Sequence, residues 1–88
     1  MTDIQKLFEK ATKDVTKAKK DPGNELKLRL YAQFKQASEG DVVGERPAFT
    51  DFVGRAKFDA WAKLKGTTQE EAMTAYTKLV NRVLSEDD

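Results

Sequence analysis

Four stretches of this 88-residue chain carry apolar side chains at helical spacing, and glycine or proline interrupts the sequence between them. No alternation of apolar and polar residues is long enough to indicate a β-strand. The clearest apolar stripe lies in the last stretch and consists of Ala72, Tyr76, Leu79, Val80, Val83 and Leu84. The pattern therefore predicts an all-α fold, and four amphipathic helices in so short a chain predict a small helical bundle.

Capping signals set the expected helix boundaries. We predict the first three helices over about residues 3–18, 25–38 and 52–65. The fourth helix follows Thr68, which stands at capping-box spacing from Glu71. The sequence between residues 39 and 50 has no period, so it is predicted to be a long loop, and such loops often serve a function.

The other helix ends carry their own signals. Thr2 and Gln5 have the spacing of a capping box at the first helix. Asn24 or Asp21 can cap the second helix, because a short oxygen-bearing side chain can accept a backbone N–H of the first turn. Gly40 stands just past the end of the second helix, where glycine readily adopts the left-handed conformation that closes a helix.

The composition excludes several classes of protein. The chain has no Cys and no His, which removes disulfide scaffolds, thiol nucleophiles and the commonest metal ligands and general bases. Sixteen basic against 15 acidic residues give a net charge of +1, which is too little to drive nucleic-acid binding. No apolar run approaches the roughly 18 residues of a membrane span, and the first residues do not resemble a secretory signal. We therefore expect one domain over residues 1–88, with no metal, no cofactor and no enzymatic activity.

The second helix has an unusual outward face. Leu26 and Phe34 mark its core face, whereas Leu28, Tyr31 and Lys35 fall together on the opposite side. A leucine, a tyrosine and a lysine grouped there indicate either a second packing partner or a ligand that needs apolar, aromatic and cationic contacts. An apolar residue left on the surface by chance explains the pattern equally well. Three interpretations of this face therefore stay open.

Lys57 is unusual in the third helix, because this charged residue shares a face with the apolar residues Val53 and Trp61. Its stem can cover apolar surface while the ammonium reaches water. Alternatively, Lys57 and Lys35 converge on one anion at the rim of the bundle, as a phosphorylated amphiphile would need. For such a ligand the chain would supply most of the affinity, because each buried methylene contributes about 0.8 kcal/mol and an exposed lysine–phosphate contact only about 1 kcal/mol.

The order of the residues is more specific than their spacing. The sequence contains Lys-Gln-Ala (35–37), Gly-Asp (40–41), Arg-Pro (46–47), Lys-Phe-Asp-Ala-Trp (57–61) and Leu-Lys-Gly (64–66). In this order the segments closely resemble the acyl-CoA-binding protein family. The resemblance covers nearly the whole chain, from Phe8 to about Val83.

The resemblance implies an up-and-down four-helix bundle that binds medium- to long-chain acyl-CoA thioesters without covalent chemistry and carries them in the cytoplasm. It implies that Tyr31 packs on the adenine and that Lys35 and Lys57 meet the phosphorylated ribose. It also implies that Tyr76 lines the site and that Leu28 borders the acyl chain or the adenine. We expect a monomer whose partner is long-chain acyl-CoA, with no nucleic acid and no membrane insertion.

Four further positions are assigned to the site by the same resemblance. Ala32 belongs to the motif around Tyr31. Phe34 stands where tyrosine is common, so the ring is kept and the hydroxyl lost. Thr16 stands where the family usually has lysine. Arg55 remains as a cation near the start of the third helix, where Val53 replaces a lysine of many members.

Other classes of function compete with this interpretation. The leading alternative is a helical protein-interaction module that uses the face of Leu28 and Tyr31. A nucleic-acid-binding helical domain is disfavoured by the near-neutral charge. An acyl-CoA hydrolase is disfavoured because no Cys or His is available as nucleophile or base.

Overall fold

The computed structural model describes residues 3–86, and within them it contains helices and no strand. The helices are α1 (Ile4–Asp14), followed by a 3₁₀ turn (Val15–Lys17), then α2 (Asn24–Glu39), α3 (Phe52–Ala62) and α4 (Gln69–Ser85). The predicted all-α, four-helix fold is confirmed. None of these helices is both long enough and apolar enough to cross a lipid bilayer.

The helices pack in a spatial order that differs from their order in the chain. α4 packs against α1 and against α2, while α3 packs on α2. The buried core lies between α1, α2 and α4, and comprises Phe8, Ala11, Leu30, Ala37, Ala72, Tyr76, Val80 and Val83. α2 thus has two covered faces, one toward the core and one toward α3. The apolar residues on the outward face of α2 allowed for a second packing partner, and in the structure this partner is α3.

α3 runs in the same direction as α2. Lys57 near the middle of α3 lies over the ring of Tyr31, and Trp61 at its end lies beside Lys35 and hydrogen-bonds to Gly40. The contacts therefore advance together along both helices. A parallel pair needs a connection that carries the chain back, which is the role of the long loop over residues 40–51. Between α2 and α3 the chain therefore departs from the strict up-and-down order that the resemblance implies.

The start of α1 is capped by Asp3. Its carboxylate accepts the backbone N–H groups of Gln5 at 3.0 Å and Lys6 at 3.4 Å. The capping residue predicted here, Thr2, lies outside the described residues. An aspartate at this position also places negative charge at the positive end of the helix dipole.

Two helices end earlier than the apolar spacing predicts. α1 gives way to a 3₁₀ turn after Asp14. α3 ends at Ala62, because the N–H of Leu64 bonds to the carbonyl of Trp61, three residues back, and the chain then turns through Gly66 at φ +93°. Tight turns keep apolar residues near the same side of the chain, so periodicity alone overestimates both helices.

The predicted cap of α2 is wrong. Asn24 is the first residue of the helix, and the capping position is held by Gly23 at φ +94°, without a side-chain cap. Asp21 instead accepts the N–H of Gly23 at 2.8 Å and pairs with Lys27 Nζ at 2.7 Å. The aspartate therefore shapes the turn before the helix, and glycine is needed where the backbone enters the left-handed region.

Two other predicted helix ends are confirmed. Gly40 closes α2 at φ +83°, and its N–H donates to the carbonyl of Gln36 at 3.0 Å. At α4 the capping box is complete, since the N–H of Glu71 donates to Thr68 Oγ1 at 3.0 Å and the N–H of Thr68 donates to Glu71 Oε1 at 3.2 Å.

Candidate ligand-binding site

Gln36 is the most buried polar side chain among residues 3–86, with no exposed surface. Its Nε2 donates to Asp41 Oδ1 at 2.8 Å and to the carbonyl of Thr67 at 2.7 Å. Asp41 Oδ1 also accepts the N–H of Gly66 at 2.9 Å. The hydrogen bond from Gly66, and to a smaller extent the one from Gln36, holds the pKa of Asp41 below its ordinary value. One amide and one carboxylate thus join the end of α2 to the α3–α4 turn.

Two further contacts tie α3 to its surroundings. Trp61 Nε1 donates to the carbonyl of Gly40 at 2.9 Å. Arg46 forms a two-pronged pair with Asp59, at 2.9 Å from Nε and 2.7 Å from the terminal nitrogen, and this pair lowers the pKa of Asp59. We call this set the polar hub, comprising Gln36, Asp41, Arg46, Asp59 and Trp61. The buried Oε1 of Gln36 has no hydrogen-bond partner, but the other bonds named here hold α3 and the loop in place.

A groove of about 410 Å³ opens between α2 and the first turns of α3, and we call it the α2–α3 groove. It is lined by Asn24, Lys27, Leu28, Tyr31, Phe52, Val53, Ala56 and Lys57. α3 begins at Phe52, so Phe52, Val53 and Ala56 fall on one face of its first turns. Phe52 and Val53 are 74% and 67% exposed, which leaves an apolar wall open to solvent.

A second groove of about 300 Å³ lies on the other side of α2, and we call it the α2–α4 groove. Its lining is Val15, Lys27, Leu30, Tyr31, Phe34 and Tyr76. The ring of Tyr76 packs edge-on against Phe8 at 5.2 Å and lies 6.0 Å from Phe34. Burial raises the pKa of Tyr76.

Tyr31 forms the ridge between the two grooves, because it lines both of them. The ammonium of Lys57 lies 5.3 Å from the centre of the Tyr31 ring, within the range of a cation–π contact. Lys27 also lines both grooves, and its Nζ pairs with Asp21. An aromatic face and two cations therefore stand where an apolar wall meets solvent.

Lys35 lies one helical turn beyond Tyr31 and is engaged within the protein. Its Nζ forms an ion pair with Glu39 and lies 5.1 Å from the centre of the Trp61 ring. The hydrogen bond to Glu39 is the main reason that the pKa of Lys35 is raised. The side chain lines neither groove.

A family model for acyl-CoA-binding protein matches residues 5–80. This chain belongs to the acyl-CoA-binding protein family.

Curated relatives carry the matching segment within longer proteins. The chain is 46% identical to enoyl-CoA delta isomerase 2 of Rattus norvegicus over 100% of its own length and 22% of that protein. The human protein of the same name is 46% identical over 88% of this chain and 20% of its own length. Acyl-CoA-binding domain-containing protein 5 of Rattus norvegicus is 42% identical over 88% of this chain and 16% of that protein. The chain thus spans only about a fifth of the length of these relatives.

Two solved structures match over most of both chains. The crystal structure of Oryza sativa acyl-CoA-binding protein 2 superposes with a TM-score of 0.90 at 36% identity, covering 96% of this chain and 93% of that one. The structure of the acyl-CoA-binding protein from Moniliophthora perniciosa gives a TM-score of 0.89 at 37% identity, covering 100% of this chain and 85% of that one. The fold of the acyl-CoA-binding protein family is therefore shared throughout.

Within this acyl-CoA-binding domain, the predicted site residues separate into two groups. The residues that line a groove are Leu28, Tyr31, Phe34, Lys57 and Tyr76. Those that line neither of the two grooves are Thr16, Ala32, Lys35 and Arg55. The structure therefore brings Tyr31 and Lys57 into contact, whereas Lys35 lies one turn farther along α2, beside Trp61 of α3.

The residues outside the grooves have identifiable contacts. Thr16 is exposed and its hydroxyl donates to the carbonyl of Lys13 at 2.7 Å. Ala32 is buried and faces α3 in a separate depression. The guanidinium of Arg55 lies 5.5 Å from the centre of the Phe49 ring. No contact among the described residues supports the alternative of a protein-interaction face at Leu28 and Tyr31, which α3 covers in part.

Residue-based reasoning missed several members of the acyl-CoA-binding domain's groove lining. Lys27 stands four residues before Tyr31, so its helical spacing alone would have placed it beside that ring. Phe52 and Ala56 are also four residues apart, and this spacing indicates that they share an apolar face of the first turns of α3. Their approach to Leu28 depends on the parallel packing of α3, which no local pattern reveals.

Proposed function

We propose that this domain binds a medium- to long-chain acyl-CoA thioester without covalent chemistry, with the acyl chain in the α2–α3 groove. The observation that carries the proposal is an exposed apolar wall beside Tyr31 and Lys57 in a member of the acyl-CoA-binding protein family. Phe52 and Val53 keep most of their surface in water, so covering them with a hydrocarbon chain is favourable.

The head group fits the junction of the two grooves. The ring of Tyr31 offers a flat face on which an adenine can stack. Lys57 already reaches the Tyr31 ring, and its flexible stem can carry the ammonium from there to a phosphate. Tyr76 and Phe34 line the side of the junction opposite α3, where the remainder of the head group would pack.

Lys35 contributes by exchanging partners. In this structure the ammonium of Lys35 forms an ion pair with the carboxylate of Glu39, and a ligand phosphate would take the place of that carboxylate. We assign Thr16 and Arg55 to the rim of the site, because each is next in sequence to a residue that lines a groove, Val15 or Ala56. Ala32 supports the site by its small size, which lets α3 approach α2.

The role that follows is carriage or pooling of acyl-CoA in the cytoplasm, with no transformation of the thioester. The sequence offers no Cys or His as nucleophile or base, and a reversible noncovalent site of this kind suits a carrier. The chain spans about a fifth of relatives named enoyl-CoA delta isomerase 2, so we propose that it supplies the acyl-CoA-holding function without the isomerase activity of those names.

A titration with a chain-length series tests the proposal. We expect palmitoyl-CoA to bind with one-to-one stoichiometry and free CoA to bind at least about a thousandfold more weakly. Burial of a dozen methylenes at ~0.8 kcal/mol each contributes on the order of 10 kcal/mol to binding. Even if ordering the chain offsets half of this energy, the remainder corresponds to more than about a thousandfold in affinity. Isothermal titration calorimetry with CoA, octanoyl-CoA and palmitoyl-CoA measures the series. Equal affinities for CoA and palmitoyl-CoA would contradict the assignment of the chain to the groove.

A further inference from the structure

An exposed apolar cluster stands where the long loop enters α3, and we call it the loop–α3 cluster, comprising Phe49, Phe52 and Val53. Their exposed fractions are 76%, 74% and 67%, and among the large apolar side chains of residues 3–86 only Val43, in the same long loop, is equally exposed at 76%. The rings of Phe49 and Phe52 meet edge to face, with centres 6.5 Å apart. Contiguous exposed apolar surface of this kind marks an interaction site in most proteins.

The acyl-chain groove does not account for the whole cluster. Phe52 and Val53 line the α2–α3 groove, so a bound chain would cover them in part. Phe49 lines neither groove, and its ring projects beside Phe52 with the guanidinium of Arg55 above it. A filled groove would therefore leave Phe49 in water, and its exposure calls for a different contact.

The charges around the cluster indicate the nature of that contact. Arg55 lies over Phe49, and Lys57 and Lys27 line the groove that opens beside Phe52. The one carboxylate directly before Phe52, Asp51, is engaged in capping α3 and accepts the N–H of Gly54 at 2.9 Å. Aromatic rings flanked by Arg and Lys match the interface of an anionic lipid bilayer, where the rings enter the headgroup layer and the cations meet phosphates.

We propose that the loop–α3 cluster docks this domain on an anionic lipid surface, with Phe49 inserted in the interface and Arg55 beside a lipid phosphate. The proposal rests on the proposed function, because the docked groove would open toward the acyl chains that it takes up. Phe52 and Val53 belong to both the cluster and the groove lining, so a chain leaving the bilayer passes from one to the other without crossing water. The contact is peripheral and requires no membrane span.

Phe49→Ser and Phe49→Trp test the docking, since Phe49 lies outside both grooves. We expect the wild-type domain to co-sediment with vesicles of phosphatidylcholine and phosphatidylserine, and much less with phosphatidylcholine alone. Phe49→Ser should weaken vesicle binding about tenfold, as burial of one phenyl ring implies. Phe49→Trp should keep vesicle binding, and its added fluorescence should shift to the blue and be quenched by brominated lipids, which a ring without interfacial contact would not show.

Binding of acyl-CoA in lipid-free solution separates this proposal from the proposed function. Phe49→Ser should bind octanoyl-CoA as the wild type does and melt at the same temperature. Failure of the wild type to bind any acyl-CoA would overturn the proposed function, whereas the vesicle results judge the docking separately. Equal vesicle binding by wild type and Phe49→Ser, or none by the wild type, would overturn the docking. Self-association that Phe49→Ser abolishes, without vesicle binding, would assign the cluster to a second copy of the chain and also overturn it.

Discussion

The two halves of α2 use the same neighbour, α3, in opposite ways. Near its carboxyl end, Gln36 and Gly40 bind the loop, the α3–α4 turn and Trp61 through hydrogen bonds. In the first half, Leu28 and Tyr31 face α3 across an open groove, with only the cation of Lys57 over the ring. The interface between two parallel helices is thus closed at one end and open at the other. Closing one end with polar bonds allows the other to remain open for a ligand.

Removing the buried amide of the closed end should have the largest effect on stability. Gln36→Ala leaves a cavity and deprives Asp41 and the Thr67 carbonyl of a donor, so we expect the free energy of unfolding to fall by about 3 kcal/mol. Chemical denaturation measured by circular dichroism gives the change. Acyl-CoA affinity of the folded fraction should stay within about twofold of the wild type, because Gln36 does not line a groove.

Gln33 provides a matched control on the same helix. The Oε1 atoms of both glutamines lack a hydrogen-bond partner, but Gln33 is only half-buried and lacks the bonds that Gln36 Nε2 donates to Asp41 and Thr67. Gln33→Ala should therefore cost less than about 1 kcal/mol. Equal losses from Gln33→Ala and Gln36→Ala would mean that the hydrogen bonds of the polar hub do not distinguish the two ends of α2.

At the open end of the α2–α3 interface, substitutions should change the affinity for acyl-CoA more than the stability of the fold. Tyr31→Ala removes the ridge shared by the two grooves, and a stacked base contributes about 1–3 kcal/mol, so we expect palmitoyl-CoA to bind about thirtyfold more weakly. Tyr31→Phe keeps the ring, and within residues 3–86 the hydroxyl makes no hydrogen bond, so this variant should bind as the wild type. Calorimetric titration of both variants decides the point, and a strong loss for Tyr31→Phe would show that the hydroxyl, not the ring, contacts the ligand.

The sequence predicted the fold well because its main signals are local. The apolar stripe through Tyr76, Val80 and Val83 marks a buried face wherever a helix packs, and all three are buried. The capping box at Thr68 needs only its own turn. The grouping of Leu28 and Tyr31 likewise followed from helical geometry, although geometry alone left open whether α3 or a ligand met that face. In the structure α3 meets it, and the groove remains beside it.

The rest of the site depends on contacts between distant segments. Nothing in the pattern around Gln36 indicates that this glutamine is completely buried, because its partners lie in the next loop and in the α3–α4 turn. The same holds for Phe52, whose groove exists only because α3 runs parallel to α2. The family motif marks such positions without giving their roles. Much of it, including Gln36, Asp41 and Trp61, belongs to the polar hub and not to the grooves.

A smaller effect is expected for the cation at the open end. Lys57→Gln removes the charge and shortens the side chain by only one atom, and an exposed lysine–phosphate contact contributes about 1 kcal/mol, so affinity for palmitoyl-CoA should fall about fivefold. The loss should shrink as salt is raised, because screening already weakens the contact in the wild type. Lys78→Gln, an exposed lysine of α4 outside both grooves, controls for the change in net charge. Equal losses for the two variants would indicate a nonspecific effect of charge.

The smallest effect should be a pH dependence confined to the closed end. The pKa of Asp41 lies below its ordinary value of 3.8 because the Gly66 N–H and the Gln36 amide bond to its carboxylate. A group with a lowered folded pKa stabilises the protein fully above pH 3.8, and its contribution is lost as the pH falls below that value toward the folded pKa. Asp41→Asn keeps the acceptor oxygen without the charge, so it should be less stable than the wild type at neutral pH and approach it in acid. Melting curves from neutral to acidic pH measure the difference, and a gap that persists unchanged in acid would mean that the charge of Asp41 does not strengthen the polar hub.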